Sequence, residues 1–205
     1  MLDYAFEADF GDMRVAGVDE VGRGPWAGPV TAAAVILSPS TMPDGLRDSK
    51  KLSKKRREVL SAEILEVAEV GIGYASVEEI DEINILSATL LAMERAIEAL
   101  PQAPDVALID GNRVPKGLQC QAHAVVKGDG RVASIAAASI VAKVSRDRLM
   151  TELAHQHPGY GWETNMGYGT SAHRVGLLRN GVTLHHRRSF RPIHNMLSED
   201  SDINL

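Results

Sequence analysis

Cysteine, aromatic residues and long apolar runs are all scarce in this chain of 205 residues. The single cysteine, Cys120, excludes an internal disulfide framework and is typical of a reducing compartment. The longest apolar stretch, residues 135–144, is far too short to span a membrane and predicts a buried helix. The acidic first nine residues lack the basic and apolar regions of a signal peptide, so we expect a cytoplasmic protein.

Neither sign of charge dominates strongly enough to identify a class of partner. The net charge of −5 argues against non-specific binding to nucleic acid. Basic residues nevertheless form two runs, at 50–57 and 185–191. An isolated basic run is usually a solvated helix face or tail, and carboxylates that bind a metal are neutralised. The charge balance alone therefore excludes nothing.

Apolar patterns separated by turn residues predict an α/β fold. Strands are predicted at 14–19, 30–37, 69–76, 106–110 and 119–126, and helices at 53–67, 86–100, 132–155 and 171–179. Three strands precede the alternation of helices and strands, which indicates a mixed five-stranded sheet flanked by helices. We expect residues 1–155 to form the main domain and residues 156–205 a small C-terminal helical extension and tail packed on it.

The segment AGVDEVGRGPWAGPV, at residues 16–30, is the most informative part of the chain. It places two adjacent carboxylates, Asp19 and Glu20, at the end of an apolar strand, where they are costly unless they bind a cation. The glycines that follow allow the backbone to approach a ligand closely. This combination predicts a metal-dependent enzyme with a phosphate-rich substrate.

Four carboxylates form the candidate catalytic and metal-binding group: Asp19, Glu20, Asp110 and Asp129. Asp19 and Asp110 each end an apolar strand, and Asp129 follows the fifth strand in a Lys-Gly-Asp-Gly turn. Oxygen ligands suit Mg²⁺ and Mn²⁺, and two ions about 4 Å apart stabilise both the attacking and the leaving oxygen of an in-line displacement. A strand-terminal Asp is also a common turn former, and Gly-Asp-Gly is an ordinary turn.

Two positions near this group leave alternatives open. Asp147 competes for the fourth place but ranks lower, because it lies inside a predicted helix where pairing of Asp with Arg is common. Adjacent residues of a regular strand point to opposite faces, so Asp19 and Glu20 are not both expected to enter one site. Either the turn at Gly22 bends the chain, or Glu20 acts through its backbone carbonyl or a bridging water.

The motif DEVGRGPWAGPV, at residues 19–30, resembles the signature of the type 2 ribonucleases H, the ribonuclease HII family. The resemblance extends from about residue 14 to residue 192. Its further matching stretches are DSKKL at 48–52, IDGN at 109–112, KGD at 127–129, AAASIVAKVSRD at 136–147 and GYGT at 167–170. So many motifs in the same order make a specific match.

The resemblance implies a ribonuclease H-like fold and an endonuclease that cuts the RNA strand of RNA–DNA hybrids and nicks duplex DNA at embedded ribonucleotides. Hydrolysis on the 5′ side of the ribonucleotide would leave 5′-phosphate and 3′-hydroxyl ends. With substrate bound, Asp19 would bridge two Mn²⁺ or Mg²⁺ ions, and Asp110 and Asp129 would each complete one. Glu20 would hold coordinated water or donate its carbonyl. We expect a monomer.

The same resemblance suggests how the substrate is bound. Gly22, Arg23 and Gly24 match the segment that contacts the 2′-hydroxyl, the group that distinguishes RNA from DNA. Tyr168 matches a tyrosine that packs beside the ribonucleotide, although a Tyr in such a loop can equally pack on a helix. The candidate phosphate contacts are Lys50, Ser139 and Lys143. For Lys143, snorkelling out of an apolar helix is an equal alternative.

Other interpretations of the chain are weaker. The segment at 22–24 lacks the spacing of a dinucleotide-binding fingerprint, and the histidines match no structural zinc pattern. Trp26 departs from the family, which more often has a smaller apolar residue there. A metal nuclease of the same fold that ignores the 2′-hydroxyl, such as a resolvase or transposase, and a nucleic-acid binder without activity remain as alternatives.

Overall fold

Five strands form one sheet in which the two acidic strand ends are neighbours. In the computed structural model, which describes residues 2–202 and the side chains of residues 2–198, β1 (Val15–Val21) pairs antiparallel with β2 (Val30–Ile36) and parallel with β4 (Val106–Asp110). β5 (Gln121–Val125) pairs parallel with β4, and β3 (Glu69–Ala75) lies beyond β2. The order β3-β2-β1-β4-β5 confirms the predicted mixed sheet.

Each of the four helices predicted from the sequence overlaps a helix of the structure. The helices are α1 (Ala5–Ala8), α2 (Lys54–Val67), α3 (Val77–Glu98), α4 (Ala133–Gln156), α5 (Trp162–Asn165), α6 (Ser171–Asn180) and α7 (Arg191–Asp202). Short 3₁₀ turns span Ser49–Lys51 and Gly128–Gly130. The sequence analysis missed α1 and α5, which are single turns, and also α7, whose apolar stripe Ile193, Met196 and Leu197 was a visible signal.

Helices cover both faces of the sheet. Ala33 and Val35 of β2 share a buried cluster with α2 and α4. On the opposite face, β3 approaches α3 so closely that a Cβ at Gly71 or Gly73 would lie about 2 Å from a carbonyl oxygen of the helix. Within α3, Asn84 has a φ of 67° and its side chain accepts from the amides of Leu86 and Ser87, so a new helical segment begins where the sequence predicted one.

The contacts of the chain group into two compact units. The first, here called the sheet unit, comprises Met1–Val21, Thr31–Tyr74 and Thr89–Ser145. The second, here called the C-terminal unit, comprises Gly22–Val30, Ala75–Ala88 and Arg146–Leu205. The predicted domain division at residue 155 stays a prediction, and residues 203–205 of the predicted tail lie outside the described part of the chain.

Across residues 2–202, none of the helices combines the length and the apolar character needed to cross a membrane. The cytoplasmic location and the monomeric state expected from the sequence stay predictions.

Candidate active site

The ends of β1 and β4 bring three carboxylates together. The parallel register pairs Val18 with Ile109, so Asp19 and Asp110 come next along neighbouring strands at the same edge of the sheet. One oxygen from each of Asp19, Glu20 and Asp110 lies within 4.8 Å of the other two. The close approach of Asp19 and Asp110 therefore follows directly from the strand register.

Glu20 joins this group without a bend in the strand. Its Cα remains paired with Ala32, and β1 continues to Val21. The expectation that Asp19 and Glu20 would point apart is wrong for their carboxylates. A glutamate carboxyl is three bonds from its Cα, and at an open strand end it has room to reach back. The amide of Glu20 also donates to Asp19 Oδ1 at 2.7 Å.

Asp19 is the most buried member of the group, with 7% of its surface exposed. Burial raises the pKa of the Asp19 carboxyl well above its usual range, and the negative charges of Glu20, Asp110 and Asp129 raise it further. The hydrogen bond from the Glu20 amide acts in the opposite direction. The ionised form of Asp19 is therefore unfavourable in the folded protein unless positive charge is bound beside it.

Asp110 links the close group, formed by Asp19, Glu20 and Asp110, to the turn that carries Asp129. Its Oδ1 accepts from the backbone amide of Gly128 at 2.7 Å. Asp129 lies outside the close group, but its charge acts on Asp19. Burial raises the pKa of Asp129, the charges of Asp110 and Asp48 raise it too, and Lys50 lowers it. Sequence analysis had no signal for the bond between Gly128 and Asp110.

This donor set fits a hard divalent cation. All the converging ligands are carboxylate oxygens, which Mg²⁺ and Mn²⁺ accept. Bound positive charge would offset both the burial and the neighbouring negative charges that raise the pKa of Asp19. Asp19, Glu20 and Asp110 are the residues that would hold such an ion first. Asp129 is not a member of this group, although its negative charge acts on Asp19 and on the pKa of that carboxyl.

The candidate substrate loops lie in the C-terminal unit. Arg23 and Gly24 are exposed, whereas Gly22 is buried and has a φ of 96°. A Cβ added at Gly24 would lie 3.3 Å from Cε1 of Tyr168, so the tyrosine ring borders this exposed backbone. Tyr168 itself is 46% exposed, which leaves much of its ring open to a ligand.

The three candidate phosphate contacts belong to the sheet unit and differ in exposure. Lys50 is exposed and acts electrostatically on Asp129. Ser139 is buried and its hydroxyl oxygen accepts from the Ser49 amide at 3.3 Å, which leaves its own proton for donation. Lys143 is half-buried on α4. The competing Asp147 is buried in the C-terminal unit and is not a member of the close carboxylate group.

Sequence analysis missed a buried histidine network in the C-terminal unit. The Nδ1 of His173 lies 3.0 Å from the Tyr168 carbonyl, which can only accept, so this nitrogen carries the proton. Its Nε2 then accepts from Trp162 Nε1 and from His186 Nε2, both at 3.1 Å. The Nδ1 of His186 accepts from the Thr183 amide at 3.0 Å. Both rings are therefore neutral, and the network fixes the loop that carries Tyr168.

The stability of the protein should depend on pH through His186. Burial and the neighbouring His173 lower the pKa of His186 from 6.5 to about 3. Between pH 6.5 and about pH 3, the unfolded chain binds a proton at His186 and the folded protein does not. The free energy of unfolding therefore falls as the pH falls through this range. Urea unfolding should show the stability advantage of the wild type over His186→Gln shrinking by about 1.4 kcal/mol per pH unit.

The matched control for this measurement is His155→Gln, because His155 is exposed on α4. The free-energy difference between this variant and the wild type should not change with pH. A difference between wild type and His186→Gln that is equally constant would contradict the buried neutral state of His186.

The family model and two close relatives of this chain carry the same description. The family model described as Ribonuclease HII matches residues 16–193. The ribonuclease HII of Jannaschia sp. (strain CCS1) is 65% identical over 95% of this chain and 98% of its own length. That of Ruegeria pomeroyi is 61% identical over 97% of this chain and 86% of its own length.

Solved structures share the fold. The crystal structure of ribonuclease H2 from Pyrococcus horikoshii OT3 superposes with a TM-score of 0.74 at 23% identity, covering 91% of this chain and 98% of that one. The structure of Bst-RNase HIII in complex with Mn²⁺ gives a TM-score of 0.74 at 19% identity, covering 94% and 71% of the two chains. These neighbours agree with the predicted ribonuclease H-like fold.

Proposed function

Because the chain belongs to the ribonuclease HII family, we propose that it is an endonuclease that cleaves the RNA strand of RNA–DNA hybrids and nicks duplex DNA on the 5′ side of embedded ribonucleotides. The observation that carries this proposal is the convergence of Asp19, Glu20 and Asp110 at the edge of the sheet. Membership of this family makes the protein a metal-dependent ribonuclease.

In this proposal the carboxylates would hold two divalent cations, Mn²⁺ or Mg²⁺. Bound ions would supply a water acidified for attack and positive charge for the leaving oxygen. Asp19, which interacts with all three other carboxylates, would be the shared ligand. Asp110 is oriented by the Gly128 amide, and Glu20 and Asp129 complete the set. The Mn²⁺ in the structure of Bst-RNase HIII supports a metal of this class.

Recognition of the ribonucleotide is assigned to the exposed backbone of Arg23 and Gly24 and to the ring of Tyr168. A 2′-hydroxyl both donates and accepts, so it can bond to backbone groups that a deoxyribose leaves unpaired. Gly24 must lack a side chain for a sugar to approach beside Tyr168, since a Cβ would already contact the ring.

The phosphate contacts are proposed for Lys50, Ser139 and Lys143. Lys50 is the best supported, because its positive charge acts on Asp129. Ser139 has a proton free to donate to a phosphate oxygen while it accepts from Ser49. The three contacts position the nucleic-acid backbone and carry no sequence preference.

A strand-cleavage assay tests this function. Duplex DNA with one ribonucleotide should be nicked on the 5′ side of that residue with Mn²⁺ or Mg²⁺, and chelator should abolish the nick. An all-DNA duplex of the same sequence should remain intact. Equal cutting of both duplexes would instead indicate a general nuclease of this fold, and binding without cutting would indicate a nucleic-acid binder.

Replacement of Tyr168 should impair cutting at a single embedded ribonucleotide. Loss of a stacked ring costs about 1–3 kcal/mol, so Tyr168→Ala should lower kcat/KM roughly 5- to 150-fold. The matched control is Tyr168→Phe, which keeps the ring and should retain most of the activity. An unchanged kcat/KM in Tyr168→Ala would assign this side chain a packing role only.

A further inference from the structure

Arg187 is a buried cation whose side chain donates hydrogen bonds to one short loop. It is 0% exposed, although it lies in a basic run that would normally be solvated. Its Nε donates to the carbonyl of Gly28 at 2.9 Å. Its Nη1 donates to the carbonyls of Arg23 and Pro25 at 3.0 and 2.8 Å, and its Nη2 donates to that of Gly22. Four carbonyls of the loop 22–28 thus point inward at one guanidinium.

This arrangement fixes the direction of the backbone amides as well. In a trans peptide the C=O of one residue and the N–H of the next point in opposite directions. The inward carbonyl of Gly22 therefore turns the amide of Arg23 outward, and the inward carbonyl of Arg23 turns the amide of Gly24 outward. Both residues are exposed, so this part of the loop is accessible to a ligand.

The peptide between Pro25 and Trp26 follows the same rule. The carbonyl of Pro25 points at Arg187, and the following amide, that of Trp26, points away and donates to the Gly167 carbonyl at 2.8 Å. Gly167 directly precedes Tyr168. One guanidinium therefore orients two outward amides and also ties their loop to the segment that carries the tyrosine.

We infer that Arg187 is a positioning residue for recognition of the 2′-hydroxyl: it holds the amides of Arg23 and Gly24 in the orientation that bonds to the ribose. This inference rests on the proposed function. Arginine suits the task because its planar fork presents five N–H donors, whereas lysine presents three from a single nitrogen. Carbonyls that accept from a cation also make the amides of the same peptides stronger donors.

The surroundings of Arg187 maintain this arrangement. The ring of Phe190 lies 5.1 Å from the guanidinium carbon. Asp81 accepts from the amides of Arg188 and Ser189 at 2.9 Å, which anchors the residues that follow Arg187. The guanidinium is thus held on one side by an aromatic ring and on the other by the loop that it orients.

Binding measurements with chelator present, so that no strand is cut, test the inference. We expect the wild type to bind a duplex with one ribonucleotide about tenfold more tightly than the all-DNA duplex, which corresponds to about 1.4 kcal/mol of binding free energy from the amide bonds to the 2′-hydroxyl. In Arg187→Gln and Arg187→Lys this ratio should fall to about one to two, with the Kd for all-DNA duplex unchanged within about twofold. If the substitutions only reduced the amount of folded protein, the apparent affinity for both duplexes would fall by the same factor.

Arg188→Gln is the matched control, because it removes a positive charge from the exposed neighbouring residue and should preserve the ratio. A wild type that binds both duplexes equally would overturn the proposed recognition of the 2′-hydroxyl. A wild type that discriminates, together with Arg187→Lys and Arg187→Gln variants that discriminate equally well, would overturn the role of Arg187 alone.

Amide hydrogen exchange of the wild type keeps the inference testable if either variant fails to fold. The amides of residues 23 and 24 should gain protection on adding the ribonucleotide-containing duplex and not on adding the all-DNA duplex. Equal protection by both duplexes, or none by either, would overturn the assigned amide orientation.

Discussion

Asp19→Asn should abolish cleavage and at the same time stabilise the folded protein in metal-free buffer. The substitution removes the proposed shared metal ligand, and a loss of about 4 kcal/mol of transition-state stabilisation corresponds to a rate lowered about 10³-fold. Removing the charge also removes the cost of burying it and its repulsion with Glu20 and Asp110, which is why the free energy of unfolding should rise. Binding of hybrid should remain.

The control variant is Asp12→Asn, because Asp12 is exposed and lies outside the carboxylate group. It should change neither cleavage nor stability. Mn²⁺ at 100 times its Kd should stabilise the wild type by about 2.7 kcal/mol and Asp19→Asn much less. Cleavage by Asp19→Asn at a rate near that of the wild type would show that the two-metal assignment is wrong.

Gly17→Ala should produce the largest loss of stability. A Cβ at this position of β1 would lie 2.2 Å from both the Ile135 nitrogen and the Ser134 carbonyl carbon, and backbone atoms cannot rotate away. The sheet and α4 would have to separate, so we expect a loss of more than about 3 kcal/mol. In thermal unfolding this corresponds to a Tm lowered by at least about 6 °C.

Gly130→Ala is the matched control for this prediction. No atom lies within 4 Å of the added Cβ, and Gly130 does not have a positive φ. Its Tm should stay close to that of the wild type. A Tm of Gly17→Ala that is equally unchanged would mean that α4 does not pack on β1 as closely as described.

The sheet and its acidic strand ends could be predicted from the sequence because they depend on local patterns. The strands 30–36, 69–75 and 106–110 are short apolar runs bounded by turn residues, and the observed bounds differ from the predicted ones by at most one residue. The approach of Asp19 to Asp110 then follows from the parallel pairing of β1 with β4. The alternation of side chains along a strand nevertheless predicted the wrong direction for the carboxylate of Glu20. The long side chain of a glutamate at a strand end can bring its carboxylate back to the side of the neighbouring residue.

The buried polar contacts of the C-terminal unit could not be predicted in the same way. Arg187 bonds to residues about 160 positions earlier in the chain, and no local pattern encodes such a pairing. The run at 185–191 suggested a solvated basic segment, yet His186 and Arg187 are buried while Arg188 is exposed. Burial of a guanidinium needs several acceptors at once, and only the folded loop supplies them.

Whether water is the nucleophile can be measured by cleaving the single-ribonucleotide duplex in water enriched in ¹⁸O and analysing the products by mass spectrometry. In hydrolysis at the metal site, the water oxygen bonds to phosphorus, the bond to the 3′ oxygen breaks, and that oxygen takes a proton. This reaction should place one ¹⁸O atom in the 5′-phosphate of the fragment that begins with the ribonucleotide. An unlabelled 2′,3′-cyclic phosphate, from a cut on the 3′ side, would contradict it, because the 2′-hydroxyl would then be the nucleophile.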